Sequence, residues 1–456
     1  MIELTATELL RHYRESGLSP VEVTEAVLER IDRLEPELHA LYAYHPEHAR
    51  AAAKQSEQRW RTGTAGPLDG IPLTLKENIA TKGTPVPLGT AATELVPAAE
   101  DAPAAARVLE AGAVLLAKTT MPDFGMLTSG RSSFHTASRN PWDTSRTPGG
   151  SSAGAAAAAA AGYGPLHVGT DIGGSIRLPA GWCGLVGFKP SFGRVPVDPP
   201  YIGRVAGPLT RTVADAALLM GVLAQPDPRD HMSLPPSEIP WSELDCELAG
   251  LRVGLQLDAG VGLPVEPEIA AAVAEAARVF ESAGAIVEPV EPFLTREMLD
   301  GLDTFWRVRA WSDMSGLPPE RQAKVLPYIA DWARGGAEVD GLATYRGFAQ
   351  IDAMSAATVR ATEKFDFVLS PTCPAGPPPA DWASPTNDPA RPFEHIAFTV
   401  PYNMSGQPAV SVNCGYTAAG LPIGLQLAGR RFDDAGVLRT AAAFEGIQGP
   451  ARSPEV

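Results

Sequence analysis

The 456-residue chain has few cysteines: Cys183, Cys246, Cys373 and Cys414, no two of them in CxxC spacing. That excludes a cysteine zinc site and a disulfide framework and fits a reducing cytoplasm. Its histidines (His12, His39, His45, His48, His135, His167, His231 and His395) show no HExxH or other ligand spacing, so no metal is expected. No glycine-rich loop ends in Lys-Ser/Thr, which removes a phosphate-binding loop. GTDIGG is not GxGxxG and no ribose-binding acid follows in context, which removes a dinucleotide fold. No cofactor is expected. A GxSxG elbow, the mark of an α/β-hydrolase, is missing too. Positive charge is scarce: 37 Lys and Arg against 53 Asp and Glu leave a net charge of −16. Such a surface repels nucleic acid and anionic membrane, so neither is an expected partner. The N-terminus, MIELTATELLRHYRES, lacks an apolar stretch and reads as no signal peptide. The uncharged stretch Thr147 to Thr170 is long enough for a membrane span, but alanine, glycine and serine with a proline do not make one.

What remains is an ordinary globular composition, 45% hydrophobic and 20% charged. Its 44 glycines and 44 prolines stay below the roughly 25–30% that marks disorder. Helices are expected over Thr5 to Ser16 and Pro20 to Leu34, the second with Ser19 as N-cap and an apolar stripe of Val23, Val27, Ile31 and Leu34. Leu38 to Tyr44 alternates like a strand, and a charged helix follows over about His48 to Arg61. Gly70 to Lys76 reads as a buried strand ending on a lysine. A helix over Ala102 to Ala111 leads to a strand over Ala113 to Lys118, and Leu251 to Val290 spells another strand–helix–strand unit. Such alternation argues for an α/β sheet. Residues 293–362 read as mostly helical and carry Trp306, Trp311, Tyr328 and Trp332. Strands over Phe367–Leu369, Ala409–Val412 and Ile423–Leu427 and a helix over Ala435–Glu445 close the chain. No internal repeat or linker divides it, so one domain is expected over 1–456. Its parts are an N-terminal helical segment (1–62), a core (63–225) and a helical layer expected to flank the pocket (293–362).

The chain is organised around TPGGSSAGAAAAAAAGYGPLHVGTDIGGSIR, residues 147–177. Two clusters of small residues each deliver a serine, Gly149-Gly150-Ser151-Ser152 and Gly173-Gly174-Ser175. Glycine before serine admits backbone conformations that side chains forbid and lets a ligand approach bare N–H groups. Seven alanines, Ala155 to Ala161, favour a helix opening at Ser151 or Ser152. The long irregular run from Thr119 into this segment is the kind of loop that carries function. Within it Met126 and Phe134 could line an acyl pocket or simply fill the core.

GGSS followed 24 positions later by the serine of GTDIGGSIR, with a lysine in LKEN upstream, resembles the amidase signature family. The likeness extends through VGFKPSFGRVP to GQPAVSVNCGYTAAGLPIGLQLAGRRF. One departure is local: Ala153, Gly154 and Ala155 follow the serine pair where the family commonly has two glycines and a polar residue. The resemblance implies a mixed central sheet covered by helices on both faces. It also implies a catalytic triad of Lys76, Ser151 and Ser175, with a cis peptide bond before Ser151. Ser175 would attack the carbonyl and form an acyl-enzyme, and Ser151 would relay protons to and from Lys76. Lys76 must then be neutral, well below the ordinary lysine value of roughly 10.4, and burial is the means on offer. The N–H groups of Ile172, Gly173, Gly174 and Ser175 are the expected oxyanion hole. Asp171 and Arg177 would shape the loop, the alternative for Arg177 being to hold a substrate carboxylate. His167 reads as a satisfied core histidine.

Three functions fit. The first is a hydrolase of a small amide, anilide or carbamate, with esterase or urethanase side activity, a small-molecule substrate as partner and a homodimer as a compatible assembly. The second is the glutamine-hydrolysing subunit of a tRNA-dependent amidotransferase, although no YYDAYY-like segment is found. The third is a silent scaffold, against which the intact Lys76, Ser151 and Ser175 speak.

Overall fold

PLTLK, residues 72–76, is buried without a break and forms an interior strand, third from one edge of one large sheet, its lysine completely enclosed. A continuous apolar run of this length suits a strand covered on both faces. The computed structural model describes residues 1–455. Its strands are β1 (Leu41–Tyr42), β2 (Pro72–Lys76), β3 (Val114–Thr119), β4 (Leu166–Asp171), β5 (Val186–Lys189) and β6 (Val205–Thr210). They continue with β7 (Arg252–Leu255), β8 (Ile286–Pro289), β9 (Phe367–Pro371), β10 (Ala409–Tyr416) and β11 (Pro422–Gly429). All eleven join in the order β1-β3-β2-β4-β6-β5-β10-β11-β9-β7-β8. β3, β2 and β4 run parallel, as do β9, β7 and β8; the pairings between β4 and β9 are antiparallel. The sheet is therefore mixed, and helices flank it, as the resemblance implied.

Two elements correct the sequence reading. The second helix runs Pro20–Leu38, one turn longer than expected, and leaves only Leu41–Tyr42 as a strand. Leu38 extends the buried stripe one turn beyond Leu34, and the chain turns at His39, whose φ is +49°. Glu35 then accepts a hydrogen bond from the Leu41 N–H at 2.7 Å and starts the strand. The helix Arg177–Cys183 and strand β6, each with an internal proline, were not expected at all.

The alanine run forms the helix Ala153–Ala160, buried along its whole length against β2, β3 and β4. Small side chains let the helix axis come this near the sheet. At Gly154 even a methyl group would be excluded: a Cβ there would lie 2.1 Å from the Ala40 carbonyl oxygen and 2.5 Å from the Thr120 nitrogen. The local departure from the family pattern thus leaves the helix start intact and keeps glycine where the backbones touch. The stretch Thr147 to Thr170 is divided between a loop, this helix and a strand, and no helix among the described residues is long and apolar enough to cross a membrane.

Residues 293–362 form the helices Arg296–Ser315, Pro319–Gln322, Pro327–Arg334 and Gly341–Thr362. Trp306, Ile329 and Trp332 from these helices pack with Phe393 in an apolar cluster that Leu127, Leu178 and Trp182 also join, distinct from the main core under the sheet.

Gly154→Ala should destabilise the protein by at least about 2 kcal/mol, because overpacking against fixed backbone cannot relax. Gly446→Ala should do the reverse, by up to about 1 kcal/mol: it lies in the helix Asp434–Gln448 with nothing within 4 Å of the added methyl. Urea midpoints of both variants check the pair.

Candidate active site

β2 and β4 lie side by side, and each carries a polar residue to the same end of the sheet. Lys76 ends β2, and its Nζ donates to Ser151 Oγ at 2.8 Å and to Thr170 Oγ1 at 3.0 Å. Asn78 Nδ2 also donates to Thr170 Oγ1, at 3.1 Å, which steers the threonine hydroxyl. Lys76 is wholly buried, and its pKa falls to about 7. Desolvation is the main cause and the Arg204 charge adds to it, against smaller opposing contributions from Asp171 and Glu77. The Gly150–Ser151 peptide bond is cis.

The second serine loop is fastened to the first. The Ser152 N–H donates to the Ser175 carbonyl at 3.2 Å, and Ser152 Oγ bridges the Thr170 N–H and carbonyl at 3.3 and 3.2 Å. Asp171, at the end of β4, then folds the second glycine loop around its carboxylate. It accepts from the Gly174 N–H at 2.9 Å and the Ile176 N–H at 3.0 Å. Burial would raise the Asp171 pKa, but Arg177 and Asn403 outweigh it and hold the carboxyl well below the usual range. The Arg177 side chain makes five hydrogen bonds: two to Asp171, and one each to Thr399 O, Gln426 Oε1 and Asn403 Oδ1. No donor is left for a ligand, so Arg177 shapes the loop and does not hold a substrate carboxylate. Gly174, at φ +124°, has no room for a side chain: a Cβ would sit 2.7 Å from Thr399 Oγ1.

One consequence corrects the expected donor set. The Gly174 N–H is committed to Asp171, whereas those of Ile172, Gly173 and Ser175 donate to no protein atom among the described residues. The Ser175 side chain is half-buried and faces a cleft of about 430 Å³. Met126 lines this cleft, together with Ile172, Leu178, Trp306, Phe393 and Ile396, and also packs against the apolar cluster behind it. Phe134 does not. It packs edge-on against Tyr42 and His135 instead. His135 in turn pairs with buried Glu77. His167 is satisfied in the core by Thr74 Oγ1 at 2.8 Å and the Gly164 carbonyl at 3.1 Å, and burial pushes it down to about 3.

The sequence reading passed over Thr170, Arg309 and Phe393, and named Trp306 only as part of the helical layer over 293–362. Thr170 lies inside the quoted GTDIGGS, one place from the end of a strand, so its approach to Lys76 was open to inspection. Trp306, Arg309 and Phe393 come from elements far along the chain, and no spacing ties them to Ser175.

The Amidase family model matches residues 22–438. The chain belongs to that family. It is 36% identical to the A-subunit of the glutamyl-tRNA(Gln) amidotransferase of Chloroflexus aggregans, over 94% of this chain and 93% of that one. It is 34% identical to an acylamidase of Rhodococcus erythropolis, over 98% and 95%. Its structure superposes on a bacterial aryl acylamidase of the amidase signature enzymes with a TM-score of 0.90 at 31% identity, covering 97% and 96%. Amide C–N cleavage is thus the family chemistry, and the fold is the amidase signature fold.

Burying Lys76 has a stability consequence with a definite sign. Its folded-state pKa, about 7, lies below that of the unfolded chain, about 10.5, so between those values the unfolded state binds the extra proton. Stability conferred at this site therefore rises with pH across that window. Lys76→Met removes the dependence. The variant should be more stable than wild type below pH 7, with the gap narrowing toward pH 10.5; denaturant titrations at pH 6, 8 and 10 measure it.

Proposed function

We propose that the protein is a stand-alone hydrolase of small amides, anilides or carbamates, in which Ser175 is the nucleophile, Ser151 the proton relay and Lys76 the base. The observation that carries this reading is the 2.8 Å contact between a fully buried amine and Ser151 Oγ. Two other lysines are almost equally enclosed, and the comparison is informative. Lys118 and Lys189 end on the carbonyl oxygens of Ile79 and Pro190, which can only accept. Lys76 ends on two hydroxyls, and a hydroxyl can also donate. Once the amine is neutral, Ser151 can pass its proton to Nζ along the same contact.

In this mechanism Ser175 Oγ attacks the carbonyl carbon while its proton moves through Ser151 to Lys76. The oxyanion forms beside the unengaged N–H groups of Ile172, Gly173 and Ser175; such donors are typically worth about 2.7–4 kcal/mol each. The proton returns through Ser151 to the leaving nitrogen, the C–N bond breaks, and water resolves the acyl-enzyme by the same route. A cleft walled by Trp306, Phe393, Leu178 and Ile396 favours apolar or aromatic groups on the substrate. Four unpaired thiols suit a reducing cytoplasm.

The rival reading, a glutamine-hydrolysing component of an amidotransferase, is favoured by the 36%-identical relative of that name. The cleft opposes it. Free glutamine carries an α-ammonium, and no aspartate or glutamate lines the cleft among the described residues. The purified chain should hydrolyse p-nitroacetanilide and leave glutamine untouched; glutamine turnover without anilide turnover reverses the assignment. Ser175→Ala should lose both turnover and labelling by a fluorophosphonate probe.

The pH profile tests the base. Neutral Lys76 is the active form, so kcat/KM should climb with pH through about 7 and level off above. Lys76→Ala should remove this limb with most of the rate, while His135→Gln and His167→Gln keep it. A limb that survives Lys76→Ala contradicts the role given to the lysine.

A further inference from the structure

Arg309 is the one charged residue among those that line the Ser175 cleft. It lies on the helix Arg296–Ser315, whose other arginines show what arginine does there when a protein partner is intended. Arg296 pairs with Glu394 at 2.7 Å, and Arg307 pairs with Asp303 at 2.8 Å. Arg309 forms no ion pair among the described residues, although Asp313 stands one turn further on. Its guanidinium lies 3.8 Å over the ring of Tyr201, which orients the cation without neutralising it. A second, smaller cleft holds another arginine, with Asp198 in its lining. Arg204, beside Asn78 and Thr170, makes a single long contact of 3.4 Å to the Pro199 carbonyl. Burial and the Arg309 charge push the Arg204 pKa down, against a smaller opposing pull from Asp198, so the two guanidinium groups feel one another near the site. Arg309 is only partly buried, and a cation that borders an apolar cleft with no carboxylate in the lining leaves its charge open to an anionic ligand.

We infer that the substrate supplies it: Arg309 binds a carboxylate carried by the amide substrate, so that the cleft takes a molecule with an apolar body and one anionic end. This rests on the amide-hydrolase reading and names its substrate class. A planar guanidinium suits a carboxylate in two-point contact. With no acidic residue in the lining, the preference is for an anion and not for a zwitterion.

Binding to Ser175→Ala tests this apart from turnover. Isothermal titration would use two acids, glutaric acid monoanilide with its carboxylate on the acyl side and 4-butanamidobenzoic acid with its carboxylate on the amine side. Each is compared with its methyl ester. At least one acid should bind tenfold or more tighter than its ester, and which one does so assigns the side. Arg309→Gln in the same background should erase the difference while leaving ester affinity within about threefold, and Arg309→Lys should restore part of it. Equal binding of acid and ester, a preference that survives Arg309→Gln, or binding of neither acid overturns the inference. Hydrolysis of p-nitroacetanilide by the unmodified chain, measured alongside, reports separately on the amide-hydrolase reading.

Discussion

The site depends on one buried ion pair. Asp171 and Arg177 are both fully enclosed, and a pair in that position is weak as a source of stability because desolvation consumes most of its attraction. What it fixes is shape. One carboxylate gathers the N–H groups of Gly174 and Ile176, and one guanidinium ties the same loop to Thr399, Asn403 and Gln426, on the C-terminal part of the chain. The loop is thereby turned so that the N–H groups of Ile172, Gly173 and Ser175 are left free beside the cleft. Losing either ion would strand the other in the interior, a cost of about 3–5 kcal/mol in comparable cases. The loop geometry and the integrity of the fold are therefore the same requirement.

The second constraint is the cost of enclosing amines. Lys76, Lys118 and Lys189 are all buried, and burial lowers the pKa of each to about 7. The number is shared, so it cannot by itself single out a base. The partners do that. Carbonyl oxygens hold Lys118 and Lys189 as donors, whereas Ser151 and Thr170 leave Lys76 able to accept. A perturbed group becomes chemically useful only where its neighbour can exchange a proton with it.

Much of this was legible in the sequence because it is local. PLTLK shows a lysine at the end of an apolar strand, the alanine run shows a helix tight enough to need no side chains, and Gly-Gly-Ser occurs twice. The proximity of Lys76, Ser151 and Ser175 came from resemblance, since no periodicity joins residues 75 and 24 positions apart. The misses have physical causes. Pro179 and Pro208 hid the helix Arg177–Cys183 and strand β6, because proline ordinarily argues against both elements. Here Pro179 falls in the first turn of its helix, where no intrahelical N–H is required, and Pro208 pairs with Val168 in the middle of the sheet. Phe134 looked like a pocket residue for its neighbourhood in the chain, but aromatic contacts with Tyr42 and His135 turn it away.

The cleft lies between the serine loops and the helical layer, which share one apolar cluster. The sheet and its two serine loops provide Lys76, Ser151, Ser175 and the free N–H groups. The helices of residues 296–362 provide Trp306 and Arg309. This division explains how relatives at similar identity can bear names as different as an acylamidase and one component of an amidotransferase. The loops cannot vary without breaking the Asp171–Arg177 network or the Gly154 contact. The facing helix surface touches none of those bonds and can change one side chain at a time. Substrate choice should therefore be sought in residues such as Trp306 and Arg309, where the sheet imposes no constraint, and not in the glycine and serine segment that defines the family.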